Sequence, residues 1–337
     1  MKGADKSVGP FKISYLILVG MLIIPAVLIA LSCGGEKGKS AAQPSIDEAR
    51  AFLENGEYNR AAAMLEDIIE ADPDNLYAYH LLGRALMSRG DKWRAIELFS
   101  TALEKWPNDP EAHHQRGLIY IELAKYDEAL PDLVEYLKSD PKDSEVLFDI
   151  GYTYNGREEF ETAIPYLSRY IELKPDDFEG WSQRGYAYSQ LWMHAEAIAD
   201  CSKAIELNPE DALSYGNRAN AHYRSGEADK AFADYQTTID LDRDNYLAWY
   251  YRGIAWLGED QPGAAVYNLR TSIDLKADYW ASHYYLGIAL RQQGQLENAK
   301  SELQLALNLN PDSKEEIEAE LEIVDSQLER EAKQGSQ

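Results

Sequence analysis

Residues 178–211 read FEGWSQRGYAYSQLWMHAEAIADCSKAIELNPED, and the next 34 residues, 212–245, read ALSYGNRANAHYRSGEADKAFADYQTTIDLDRDN. Aligned without a gap, they set Arg184 on Arg218, Gly185 on Ala219, Ala197 on Ala231 and Asp200 on Asp234. The register persists in both directions: alanine recurs every 34 residues at Ala61, Ala95, Ala129, Ala163, Ala197, Ala231, Ala265 and Ala299. A fixed period of this length marks stacked helical hairpins, each burying its apolar face against its neighbours. Between Ala42 and Ser313 there is room for eight such units.

A second small place lies twelve residues before each alanine, at Gly83, Gly117, Gly151, Gly185, Gly253 and Gly287, with Ala49 and Ala219 in the other two units. Glycine inside a helix costs about 1 kcal/mol against alanine, so its recurrence calls for a close approach of helix axes. Large residues fall three and four places away, as in Tyr79, Tyr120, Leu147, Trp181, Tyr188, Tyr215 and Trp249, which puts them on one helical face. The second helix of each unit carries its own stripe, for example Leu133, Leu167, Tyr235, Leu269 and Leu303. Most units end in an acidic turn with proline, as in Asp72-Pro73-Asp74 and Asn208-Pro209-Glu210, where proline stops one helix and lets the next begin. Arg243 and Ala277 replace that proline in the sixth and seventh units. Pro131 and Pro165 instead fall inside second helices and are expected to bend them.

With the small pair, the aromatics and the terminal proline in these places, residues 42–313 resemble the tetratricopeptide repeat family. The resemblance implies an all-α fold: a right-handed superhelical solenoid of about eight helical hairpins. Residues 314–337 are expected to form a capping helix and polar tail, since Ile317, Leu321, Ile323, Val324 and Leu328 are the sparse apolar positions of a charged stretch.

The formal net charge of −25 argues against nucleic acid, which demands clustered lysine and arginine. The N-terminus departs from this composition. Lys2, Lys6 and Lys12 precede an uncharged run from Ile13 to Ser32, which ends in Ala30-Leu31-Ser32-Cys33-Gly34. A basic start, an apolar stretch and small residues before a cut site describe a secretion signal. The segment resembles the lipobox of bacterial lipoproteins, in which the cysteine, here Cys33, is acylated and becomes the first residue. Residues 1–32 are then the signal and 33–41 a lipidated tether. An uncleaved transmembrane anchor is the alternative, because twenty apolar residues suffice to cross a bilayer. Both place the repeats outside the cytoplasm, at a bacterial cell envelope. Gly34 after the cysteine resembles outer-membrane sorting if the organism has two membranes.

Cys201, the other of the two cysteines, falls in a second-helix stripe and reads as a buried, inert thiol. No HExxH, GxSxG, phosphate loop or CxxC occurs, so neither a catalytic site nor a cofactor is expected. His80 and His114 share one place in adjacent units, but no ligand-like pattern recurs around them and no metal site is expected. Arg116, Arg184 and Arg218 stand sixteen residues before Asp132, Asp200 and Asp234, and Arg252 sixteen before Asn268. Units without the arginine lack the aspartate, which predicts a structural ion pair across the hairpin.

What remains is surface. The family resemblance implies that a protein or peptide segment meets a concave face lined by first-helix residues. In this frame those places hold Glu145, Phe148, Tyr152, Asn155, Glu179 and Tyr186 in the middle units, then Tyr223, Leu247, Tyr250, Ile254, Leu257, Tyr284 and Ile288. Tyrosine and aliphatic side chains suit helix or extended-peptide recognition. The alternative is that several of them pack between hairpins. The expected function is a membrane-tethered scaffold that holds a partner and assembles or stabilises an envelope complex. The alternatives are a self-associating protein that dimerises through its repeat surface or final helix, and an accessory subunit on an uncleaved anchor.

Overall fold

The computed structural model describes residues 45–334. The expected signal or anchor at 1–32 and the tether at 33–41 with Cys33 lie outside the described residues. Within them every regular element is a helix, and the helices fall into two compact units that meet in sequence at Pro141-Lys142.

The first unit holds α1 (Ile46–Glu54), α2 (Tyr58–Ala71), α3 (Leu76–Ser88), α4 (Lys92–Lys105), α5 (Pro110–Glu122) and α6 (Tyr126–Ser139). The second holds α7 (Ser144–Gly156), α8 (Phe160–Leu173), α9 (Phe178–Gln190), α10 (His194–Leu207), α11 (Ala212–Arg224), α12 (Ala228–Leu241), α13 (Tyr246–Gly258), α14 (Pro262–Leu275), α15 (Trp280–Gln292) and α16 (Leu296–Leu309). A 3₁₀ turn, Pro311–Ser313, leads into α17 (Lys314–Gln334). Odd-numbered helices up to α15 are the first arm of a hairpin and even-numbered ones the second.

Local chemistry sets these boundaries. The Asp or Asn before most first helices is a cap: Asn75, Asp109, Asp143, Asp177, Asp211 and Asn245 each accept a backbone N–H from the first turn. The acidic turns of the sequence are therefore helix starts as well as helix stops. Between the arms of a hairpin one residue takes the left-handed conformation, such as Gly90 at φ 79° and Gly226 at φ 80°. Trp192 adopts it at φ 62°, an unfavourable place for a bulky side chain. Pro131 and Pro165 are exposed, and α6 and α8 still run fourteen residues each.

The glycine row has a specific neighbour. A Cβ built at Gly185 would stand 2.6 Å from Cys201 Sγ, and one at Gly287 2.6 Å from Leu303 Cγ. In each case the side chain sixteen residues on fills the space the glycine leaves. The recurring alanines Ala61 through Ala299 are fully buried, with relative exposures of 0%. Cys201 is likewise buried, which pushes its thiol pKa well up and leaves it without nucleophilic character at neutral pH.

Candidate partner-binding face

The arginines at the place before the glycine row hold hairpins together. Arg184 donates from Nε to Asp200 Oδ2 (2.7 Å) and from Nη2 to Asp200 Oδ1 (3.0 Å). Its remaining Nη1 reaches back to Ser168 Oγ on the preceding hairpin at 2.9 Å. Arg116 does the same with Asp132 and Ser100, and Arg218 with Asp234 and Ser202. The aspartates are buried, and the bidentate geometry matches the planar guanidinium. Hydrogen bonds to these carboxylates hold Arg116 and Arg218 above the ordinary arginine pKa. Arg252 faces the neutral Asn268 and Gln236 instead, and burial lowers its pKa.

A second tie fixes the turn below four of the first helices, α5, α9, α13 and α15. Trp181 Nε1 donates to Pro175 O (2.9 Å) and Trp249 Nε1 to Arg243 O (3.0 Å). His113 and His283 fill the same place and direct Nε2 at Pro107 O and Ala277 O, both at 3.0 Å. Their Nδ1 atoms pair with Asp132 and Glu302 at 2.7 Å. His80 pairs with the capping carboxylate Asp109 at 2.7 Å, and His114 stacks on Tyr136. Among the described residues no group of three or more metal-type ligands converges.

First helices of the second unit touch in succession: α7 with α9, α9 with α11, α11 with α13 and α13 with α15. Polar bonds join them at one end. Asn155 Nδ2 donates to Gln183 O and Oε1 (3.0 and 3.2 Å), and Ser182 Oγ to Asp211 Oδ2 (2.9 Å). Aromatic packing joins them at the other. Tyr250 contacts the rings of Tyr251, Tyr279 and Tyr285, and Tyr284 contacts Trp280 and Tyr285.

This packing divides the residues expected to line the face. Phe148, Asn155, Tyr250 and Tyr284 are buried, at 9%, 4%, 7% and 5% exposure. They form its floor and offer a partner little surface. Phe148 is held between Tyr152 and Tyr170, while Tyr284 donates to Glu316 Oε1 of α17 at 3.2 Å. Tyr152, Tyr186, Tyr223, Ile254 and Ile288 stay half-buried. Tyr223 donates to Ala255 O (3.3 Å), its hydroxyl over Gly258, where any Cβ would collide. Helical phase puts these residues on one face, but it does not reveal the serines that receive the arginines or the ring N–H ties to the turns. The serines had a signal: Ser100, Ser168 and Ser202 each precede their arginine by sixteen residues.

Among the described residues no helix is long and apolar enough to cross a membrane. No curated protein matches the chain. Several solved structures share its fold. YrrB, a repeat protein described as having an unusual peptide-binding site, is 23% identical with a TM-score of 0.50, covering 56% of this chain and 97% of its own. The Cut9–Hcn1 assembly of the APC/C is 18% identical with a TM-score of 0.61, covering 82% of this chain, which spans only 54% of that one. A tetratricopeptide repeat protein from Parabacteroides merdae is 18% identical with a TM-score of 0.54, covering 73% of this chain and 97% of its own. The tetratricopeptide repeat pattern matches residues 46–110, 114–178 and 217–268 in one form, and 178–211 and 280–313 in two others. Since the first form alone accounts for more than half of the sequence, the chain belongs to the tetratricopeptide repeat family.

Proposed function

We propose that the first-helix face of residues 142–334 binds a segment of a partner protein, and that the chain works as a scaffold tethered to a membrane outside the cytoplasm. One observation carries the reading. Tyr152, Tyr186, Asn220, Ile254 and Ile288 repeat at 34-residue intervals, and all five stay half-buried in a row across α7, α9, α11, α13 and α15. The matching second-helix stripe, Leu167, Tyr235, Leu269 and Leu303, is buried. Half-buried tyrosine and isoleucine beside a rigid floor supply apolar area at little ordering cost. Tetratricopeptide repeat proteins are generally protein–protein interaction scaffolds and not catalysts, which supports the same reading.

Photo-crosslinking in cells from Tyr186, Ile254 and Ile288 tests it, with Tyr267 of the second-helix side as control. Capture of one protein from the row and not from Tyr267 is expected. Capture from Tyr267 alone refutes the reading, and capture of a second copy of the chain from the row replaces it with self-association.

The tether rests on Lys2, Lys6, Lys12, the apolar run and Cys33. Acylation at Cys33 holds the hairpins at the envelope, where the partner segment belongs to a complex that the scaffold assembles or stabilises. Labelled fatty acid should enter the wild-type chain and not Cys33→Ala. Retention of label in that variant refutes lipidation at this cysteine.

A further inference from the structure

Three places sixteen residues apart decide how the space between neighbouring second helices is filled. Between α4 and α6 they hold Ser100, Arg116 and Asp132, between α8 and α10 Ser168, Arg184 and Asp200, and between α10 and α12 Ser202, Arg218 and Asp234. In each case the arginine comes from the first helix packed against both walls and bonds to one residue on either wall. Between α2 and α4 the same places hold Glu66, Leu82 and Leu98, so these walls have no such bridge from below.

A groove of about 390 Å³ lies there instead. Leu82 and Leu86 of α3 are its buried floor, and Ile69 of α2 and Leu98 of α4 its half-buried walls. Glu66 and Glu70 on α2 and Glu97 on α4 stand exposed along the rim. Arg94 is the one cation among the lining residues, and it donates to Glu66 Oε1 at 2.7 Å. The two side chains of that pair are 55% and 45% exposed, so it closes the rim weakly. Three carboxylates against one guanidinium leave the groove with an excess of negative charge.

Apolar surface below and uncompensated carboxylate above thus meet at one place. The chain itself shows what suits such a place, because its bridged grooves hold the aliphatic stem and guanidinium of an arginine against a carboxylate.

We infer that the α2–α4 groove takes a helix of a partner protein with leucine and arginine side chains on one face, the leucines over Leu82 and Leu86 and the arginines on Glu70 and Glu97. A helix fits because α2 and α4 run fourteen residues each, about 21 Å, and form two ridges with a groove between them. Leucine and arginine three or four places apart share the inner face of such an occupant. Arginine suits the rim better than lysine, since its planar fork matches a carboxylate and its stem lies on apolar surface. This surface belongs to the second helices of the first unit, so the inference does not rest on the first-helix face of residues 142–334.

The test uses the full-length chain and fluorescent helical peptides of about fourteen residues, the length of either wall. All carry leucine at every third or fourth place, and they differ only in whether the flanking places hold arginine, glutamine or glutamate. Anisotropy titration should show the arginine peptide binding about tenfold tighter than the glutamate one. That ratio should fall to about twofold in Glu70→Gln/Glu97→Gln, where both substitutions are at exposed residues. Glu66→Ser/Leu82→Arg/Leu98→Asp installs the bridge found between α8 and α10, and should weaken the arginine peptide by about tenfold or more. Circular dichroism accompanies this core variant, and the glutamine variant decides alone where the fold is lost. A photo-reactive group beside the peptide's arginines should label α2 or α4. Equal binding of the three peptides, an unchanged ratio in the glutamine variant, labelling outside α2, α3 and α4, or no binding at all overturns the inference.

Discussion

The α7–α10 and α13–α16 hairpins of the second unit share one 34-residue frame and hold together by different means. Around α7 and α9 ring contacts such as Phe148 on Tyr170 are accompanied by polar ties: Arg184 on Asp200, Asn155 on Gln183, Ser182 on Asp211. Around α13 and α15 the contacts are rings, with Tyr250 at the centre and α17 covering Tyr284. The period sets where a side chain sits, whereas the residue in that place decides whether the junction is satisfied by hydrogen bonds or by burial. A junction of rings is closed to a partner in its own floor.

The largest expected effect separates the two arginines. In Arg184→Met the buried Asp200 keeps its charge and loses its partner, which should cost about 3 kcal/mol. Arg252→Met strands only the neutral Asn268, whose Nδ2 still donates to Ala264 O, and the exposed Gln236, and should cost about 1 kcal/mol. Urea unfolding of both variants makes the comparison. The double variant Arg184→Met/Asp200→Leu should regain most of the loss, since a buried pair replaced whole is far cheaper than one broken. Equal costs for the two single variants would remove the polar character claimed for the α7–α10 end.

Truncating rings should give the reverse ranking. Tyr250→Ala opens a cavity among Tyr251, Tyr279 and Tyr285, and is expected to cost about 3 kcal/mol. Tyr152→Ala removes a half-buried ring and should cost about 1 kcal/mol. A similar loss at both places would mean that aromatic packing carries both ends alike.

Much of this organisation was legible before any coordinates. The alanine and glycine rows, the proline turns and the arginine spacing all follow from a period that repeats often enough to expose each place. The floor of the face was not legible. Helical phase puts Tyr250 and Ile254 on one side of α13, but it does not show that Tyr279 and Tyr285 come from the next hairpin to cover the first and spare the second. Asn155 likewise reads as a groove amide until Gln183 takes its N–H groups. Contacts between repeats depend on two different units at once, and a single-unit pattern averages them away.

His283 offers a smaller, pH-dependent contrast at the aromatic end. Desolvation opposes its charge, but hydrogen bonds to Glu302 and to Ala277 O outweigh that and raise its pKa. Both ring nitrogens face acceptors, so the imidazolium is the form that satisfies them. A raised folded pKa gives stability that is complete below the unfolded value near 6.5 and is lost as pH rises through the folded one. His283→Gln should therefore destabilise the chain by about 1 kcal/mol at acidic pH and by less at alkaline pH. A loss independent of pH in thermal melts would show that the ring acts by shape alone.

Glu179 should give the smallest effect and the opposite sign. It lies in the first turn of α9, as Glu297 lies in the first turn of α16, and the helix dipole favours a carboxylate at both. At Glu179 partial burial and the carboxylates of Asp177, Asp211 and Glu145 work against it and raise its pKa. An acid whose folded pKa is raised disfavours folding in its ionised form, so its penalty grows as pH rises through the interval between the unfolded and folded values and vanishes below both. Glu179→Gln should thus raise the melting temperature at neutral pH by about 1 °C. The gain should disappear in acid, while Glu297→Gln lowers the melting temperature slightly by losing a favourable dipole contact. If both substitutions lower it, the dipole outweighs the repulsion at Glu179.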